Sequence, residues 1–125
     1  MELNRISGII VDASIKVHSA LGPGLLESVY QKCLAFELRK RGLVIDVEVP
    51  LPVIYESIEI EVGYRLDLLV EHEVVVEVKS VTGIIPLNKA QLLSYLRLGQ
   101  KRLGLLLNFN VEHMKDGISR IVNNF

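Results

Sequence analysis

Cysteine is almost missing from this chain: Cys33 is the only one. No internal disulfide can form, and no Cys/His cluster has zinc spacing. Charge of one sign is lacking as well, since the formal net charge is -1. Bulk electrostatics therefore give no pull toward nucleic acid. Any such attraction must come from local positive charge or from a metal ion. No stretch approaches the ~18 apolar residues of a membrane span. The first residues, "MELNRISGII", lack the basic region and long apolar run of a secretion signal. These absences predict a soluble protein of a reducing cytoplasm, with no membrane partner.

What is present is globular. Of 125 residues, 50% are hydrophobic and 23% charged, which is not a disordered composition. That length predicts a single domain over 1–125. Such a domain buries roughly two thirds of the surface its unfolded chain exposes, enough for a core without staples. No internal repeat, low-complexity tract or linker interrupts it.

From Asn4 to Leu21, Ile6, Ile9, Ile10, Ala13, Val17, Ala20 and Leu21 fall at helical spacing. Gly22 and Pro23 end that helix. A second helix is predicted over Leu26–Arg41, with Val29, Tyr30, Cys33, Leu34, Phe36 and Leu38 at threes and fours. Its basic last turn suits the helix dipole, and Gly42 stops it. "LVIDVEVPLPVIY" reads as a strand whose Pro50 and Pro52 mark an edge or bulge. "SIEIEVGYRLDLLV" reads as a second strand, bent at Gly63, and "EVVVEVKSV" as a third. "PLNKAQLLSYLRLG" returns to helical spacing. "RLGLLLNF" is an apolar strand fit for a covered central position. The tail "NVEHMKDGISRIVNNF" reads as a turn of helix and a short strand. The class is α/β (α+β), in the order ααβββαβ and then the tail.

Three charges stand out within the apolar run "RLDLLVEHEVVVEVKSV". Glu71-His72-Glu73 is a polar break, so the flanking runs form a hairpin. A three-residue loop pairs Val70 with Val74, Leu68 with Val76 and Leu66 with Val78. That face is aliphatic. The other face sets Leu69 against Val75, Asp67 against Glu77 and Arg65 against Lys79. Two carboxylates then lie ~5 Å apart with an amine alongside, and like charges so placed destabilise a sheet. Spacing alone fits two arrangements. One is an exposed, salt-bridged face of an amphipathic hairpin. The other is a site for a divalent cation such as Mg²⁺, commonly held by one or two carboxylates with water and substrate phosphate. That second arrangement suits phosphodiester hydrolysis, in which the ion activates water and neutralises developing charge.

Asp67 followed by Glu77-Val78-Lys79 resembles the D…ExK signature of the PD-(D/E)XK nuclease superfamily. The order of elements is similar to its restriction-endonuclease-like αβββαβ core, a mixed central sheet flanked by helices, here with an extra N-terminal helix. Gln91 and Tyr95 in "QLLSY" resemble the QxxxY motif of its helicase-linked exonuclease branch, and sit at i, i+4 on one helix face. Gly24, Glu27 and Tyr30 in "GPGLLESVY" look like the motif of the prokaryotic GxxExxY proteins. The blocks "VHSALGPGLLESVY", "RLDLLV", "VVEVKSV", "AQLLSYLRL" and "GLLLNFN" resemble that family in the same order. The Pro of the Pro-Asp pair is replaced by Leu66.

The resemblance implies a metal-dependent nuclease. Mg²⁺ or Mn²⁺ would be held by Asp67, Glu77 and the Val78 carbonyl, with Glu27 as a further ligand. Lys79 would position or activate water, while Gln91 and Tyr95 would orient a phosphate or Lys79. Lys89 and Arg102 would attract the backbone of DNA or RNA. Tyr30 either buttresses Glu27 or fills the core. His18 is expected to cap or pack, His72 to be solvent-exposed, and Asn108 to form a turn. The apolar tail ending in Phe125 makes a homodimer an expectation too. The competing expectation is a catalytically silent nuclease-fold module that binds nucleic acid or protein.

Overall fold

The computed structural model describes residues 1–124. Helix α1 (Leu3–Leu21) buries Ile6, Ile10, Ala13 and Val17 as one stripe. It ends where the Gly22 N–H reaches the His18 carbonyl at 2.7 Å. Helix α2 (Glu27–Lys40) buries Tyr30, Leu34, Ala35 and Leu38. Phe36 departs from the expected apolar face: it is 67% exposed. Glu37 is buried instead, in ion pairs with Lys16 at 3.1 Å and Arg41 at 3.2 Å. The Phe36 position shows that spacing alone does not set how wide a helix's buried stripe is.

Five strands form the main sheet: β1 (Ile45–Pro50), β4 (Arg65–Val70), β5 (Val74–Lys79), β6 (Leu103–Asn108) and β7 (Ile118–Val122). Their order is β1-β4-β5-β6-β7. Only β5 and β6 run parallel, and helix α3 (Pro86–Gly99) makes the crossover that parallel neighbours require. The tail forms a 3₁₀ turn (Met114–Gly117) before β7, as its sequence suggests.

The segment between β1 and β4 differs from expectation. The sequence pattern predicts two long strands there. Instead β2 (Val53–Tyr55) and β3 (Ile58–Ile60) pair only with each other, as a separate ribbon. Pro50 and Pro52 lack the N–H that would continue the ladder. Gly63, at φ +81°, turns the chain back toward the sheet.

Side-chain alternation divides the core between the two faces. Val74, Val76, Val78, Leu103, Leu105 and Leu107 pack with α1 and α2. Val75 and Leu106 pack with Leu92, Tyr95 and Leu96 of α3. Among the described residues no helix is long and apolar enough to cross a membrane. Phe125, on which the homodimer expectation draws, lies outside the described residues.

Candidate metal and phosphodiester site

The hairpin has the register its sequence implies near the turn: Val70 pairs with Val74, Leu69 with Val75 and Leu68 with Val76. The expected continuation through Asp67–Glu77, Leu66–Val78 and Arg65–Lys79 does not form as ladder pairs. Beyond Leu68 the two strands exchange side-chain for main-chain partners. The Asp67 N–H donates to Glu77 Oε2 at 2.9 Å, and the Val78 N–H donates to Asp67 Oδ2 at 2.7 Å. Each carboxylate thus occupies the place of a ladder carbonyl. The chain also turns over here: Leu68 packs toward α1 and α2, whereas Leu66 packs in the cluster under α3 rather than with Val78.

On the other side of β4, β1 is similarly disturbed. Val47 pairs with Leu68 and Val49 with Leu66. Glu48, at the level of Asp67 between those pairs, has φ +49°. A non-glycine residue in the left-handed region costs of order 1 kcal/mol or more, a strain often found at functional sites. Sequence reasoning places no weight on Glu48. Its positive φ cannot be seen in a β-rich stretch.

Burial governs the electrostatics. Glu77 is only 6% exposed. Desolvation, and then the neighbouring Asp67 charge, push its carboxyl up to about 8; the hydrogen bond from the Asp67 N–H and the charge of Lys79 oppose this. Asp67 is also raised, by burial first. The Val78 N–H and Lys79 lower it, and Glu27 and Glu48 add to the rise. Two acids here are costly as a pair of anions, and Lys79, half-buried at the end of β5, only partly offsets that. Tyr95 is raised by burial and then by Glu77, Tyr64 and Asp67. Its ring lies 5.7 Å from that of Tyr64.

The donor set fits a small, hard divalent ion. Both candidates are oxygen ligands, and their hydrogen bonds leave Asp67 Oδ1 and Glu77 Oε1 unused. A cation would offset the charge of Asp67 that helps raise the Glu77 carboxyl, and the charges of Glu27 and Glu48 that add to the rise of Asp67. No group of three or more His, Cys, Asp or Glu side chains gathers with metal-site geometry among the described residues.

The remaining expected residues separate into near and far. Glu27 is exposed in the first turn of α2 and accepts the Ser80 N–H at 3.3 Å, next to Lys79 in the chain. The Ser80 hydroxyl donates to the Leu25 carbonyl at 2.6 Å. The Tyr30 hydroxyl donates to the Gly22 carbonyl at 2.5 Å and accepts the Leu25 N–H at 3.1 Å. The Tyr30 ring stacks on Phe109 at 4.6 Å. Gly24 takes φ +97° within this loop, a conformation that favours glycine. The residues of "GxxExxY" therefore clamp the α1–α2 turn onto the end of the ExK strand. Tyr30 fills the core and ties the loop; it makes no hydrogen bond to Glu27.

Gln91 is exposed one turn before the buried Tyr95 on α3. Lys89 is exposed in the first turns of the same helix, which begins just past the Lys79 end of β5. Arg102 lies elsewhere. It precedes Leu103, which pairs with Val74, whereas Lys79 pairs with Asn108. Arg102 is thus a strand's length, roughly 20 Å, from the level of Lys79.

Asn108 is more than a turn former. It is buried, accepts the Val81 and Asn110 N–H groups at 3.1 and 3.2 Å, and donates to the Val81 carbonyl at 3.0 Å. It fixes the chain that leaves Lys79. Gly117 packs so closely beneath it that a Cβ there would meet the Asn108 carbonyl oxygen at 2.0 Å. His18 packs, with Nε2 2.7 Å from the Val111 carbonyl. His72 is exposed at the hairpin tip, 3.4 Å from Asp46.

No curated protein and no solved structure matches the chain. A family model described as the PD-(D/E)XK nuclease superfamily matches residues 4–121. That span contains the D…ExK hairpin, and the mixed sheet flanked by helices is of the restriction-endonuclease-like kind. By fold, by site and by this match over nearly its whole length, the chain belongs to the PD-(D/E)XK nuclease superfamily.

Proposed function

We propose that this chain is a Mg²⁺- or Mn²⁺-dependent phosphodiester hydrolase acting on nucleic acid, a single cytoplasmic domain of the GxxExxY kind. The observation that carries the reading is the exchange at the open end of the hairpin. There Asp67 and Glu77 each take the other strand's N–H, and Lys79 stands beside them.

In this reading Asp67 and Glu77 hold the ion with the Val78 carbonyl, and Glu27 reaches the same region from the start of α2. Once bound, the ion supplies charge neutralisation at the phosphoryl group. The protein's own groups do the rest. Lys79 donates hydrogen bonds to the attacking water and to a phosphate oxygen, with its charge kept close by the two acids. Tyr95, under the sheet beside Glu77, keeps that carboxyl walled from bulk water. Gln91, one turn nearer the site's end of α3, orients a phosphate. Lys89 supplies positive charge at the rim.

The test combines binding and turnover. At 100-fold excess over its dissociation constant, Mg²⁺ or Mn²⁺ stabilises a binding protein by ~2.7 kcal/mol. The wild type and Lys79→Ala should both show a raised Tm, and Glu77→Ala should not. Hydrolysis of labelled DNA and RNA should fall about 10²-fold or more in both variants. Hydrolysis that survives both substitutions would refute the assignment. Absence of both turnover and metal stabilisation would make the chain a silent binding module.

A further inference from the structure

Beside β1, α2 carries two parallel rows of side chains, largely unaccounted for by the site, of which only Ala35 is buried. Gln31, Ala35 and Arg39 form one, and Lys32, Phe36 and Lys40 the other, each with a four-residue step. One helical turn separates neighbours in a row, so Phe36 stands about 6 Å along the axis from a lysine on either side. These rows and the β1 residues Val47 and Glu48 enclose a groove of about 660 Å³, within the ~300–1,000 Å³ range of ligand clefts.

Three properties distinguish this groove. First, its two lysines are not held in ion pairs. Lys16 and Arg41 are committed to Glu37 and Asp12, but Lys32 and Lys40 form no ion pair among the described residues. Arg39 uses one nitrogen on the Ile45 carbonyl at 3.0 Å, and its guanidinium has further donors to offer. Second, Phe36 is 67% exposed between those cations. A large aromatic with two thirds of its surface in water contributes little to the core. Third, the groove runs into the candidate site. Gln31 Nε2 donates to the Asp67 carbonyl at 3.5 Å, and Glu48 acts on the Asp67 carboxyl.

We infer that this groove holds a single-stranded segment of nucleic acid, with one unpaired base stacked on Phe36 and its flanking phosphates on Lys32 and Lys40. The inference rests on the nucleic-acid reading given above and specifies the form of the substrate. Aromatic faces interleaved with cations are the general means of holding unpaired strands. A duplex offers the phosphates but keeps its base faces stacked inside, so Phe36 selects the unpaired strand. Glu48 repels phosphate at the inner end of the groove, which favours passage of the backbone toward Lys79 and away from β1.

The chain contains no tryptophan, so Phe36→Trp installs a lone fluorophore at the stacking position. The probe is a 12-nucleotide oligothymidylate, titrated in EDTA against chains that also carry Lys79→Ala, so that hydrolysis plays no part. The strand should quench the fluorescence of the introduced indole, and the matching duplex should not. Phe36→Ala should weaken strand binding about tenfold. The plot of log affinity against log salt should slope near ~-1.4 for two phosphates, and approach zero in the Lys32→Ala, Lys40→Ala double variant. Phe36 is exposed, so an unchanged Tm is the check on folding. Equal quenching by duplex and strand, or an affinity unmoved by Phe36→Ala, overturns the inference. Strand binding with these features in a chain that never hydrolyses supports the groove and removes only the catalytic reading. Hydrolysis by a Phe36→Trp chain whose fluorescence the strand leaves unmoved does the reverse.

Discussion

On one face of the sheet, α1 and α2 belong to a cluster of twenty of the described residues; on the other, α3 belongs to a cluster of eight. Glu77 belongs to the thinner side, where it shares its face with Val75 and lies near Tyr95, whereas the Asp67 carbonyl is reached by Gln31 of α2. The inequality has a physical basis. A charge-bearing site needs strands that can part and side chains that reach water at one end. A deep apolar cluster provides neither. The thick face holds the strands in place, which allows the thin face to open between Asp67 and Glu77.

The sharpest way to break this comparison is to damage each face alike. Leu34→Ala, in the thick cluster, should cost ~4 kcal/mol. Leu92→Ala, under α3, should cost nearer ~2–3 kcal/mol, because a single covering helix can relax into the space. Both residues are at most 1% exposed, so urea midpoints compare packing and not burial. Equal losses would remove the distinction between the faces.

A second test uses pH. Glu77 titrates at about 8 in the folded chain, against an ordinary 4.5. Below 4.5 the carboxyl is protonated folded or unfolded, and its contribution to stability is fully present. As pH rises from there, only the unfolded chain gives up the proton. The metal-free protein should therefore lose stability by up to ~1.4 kcal/mol per pH unit until about pH 8, then level off. Glu77→Gln should remove most of that slope. The raised Asp67 leaves a remainder of the same sign. A Tm profile that is flat from about pH 5 to 8 in the wild type would show that the pair is not buried as described.

The smallest effect falls on the clamp that joins the two regions. Tyr30→Phe keeps the ring on Phe109 but loses both hydroxyl hydrogen bonds. It should cost ~1–2 kcal/mol. Hydrogen exchange should quicken in the Gly22–Leu25 loop and at Ser80, with the sheet unaffected. A change spread evenly over the chain would mean that the clamp is simply part of the core.

How much of this is legible in the sequence follows the reach of each interaction. The three helices and the hairpin register near Val70–Val74 are legible, because periodicity and a three-residue polar break are local signals. The parting of the strands at Asp67 is not. It depends on two side chains reaching main-chain N–H groups on the neighbouring strand, and on the φ of Glu48. The separate ribbon has its signals in Pro50, Pro52 and Gly63, yet these read equally well as an edge and a bend. Asp67, Glu77 and Lys79 come together in one region as their spacing implies. Lys89 lies in the first turns of α3 and Arg102 just past its end, and the parallel crossover sends the two ends of that helix to opposite ends of the sheet. Asn108 acts on Val81, far along the chain, and nothing local marks it. Phe36 fits the helical period and differs from its neighbours only in what covers it.

Position 117 shows how far the site's supports extend. No side chain fits there, however small, because the Asn108 backbone already fills the space. Asn108 in turn moors the stretch that follows Lys79. A methyl group added at Gly117 would thus lever the floor of the proposed reaction chamber from behind, without touching one charged atom.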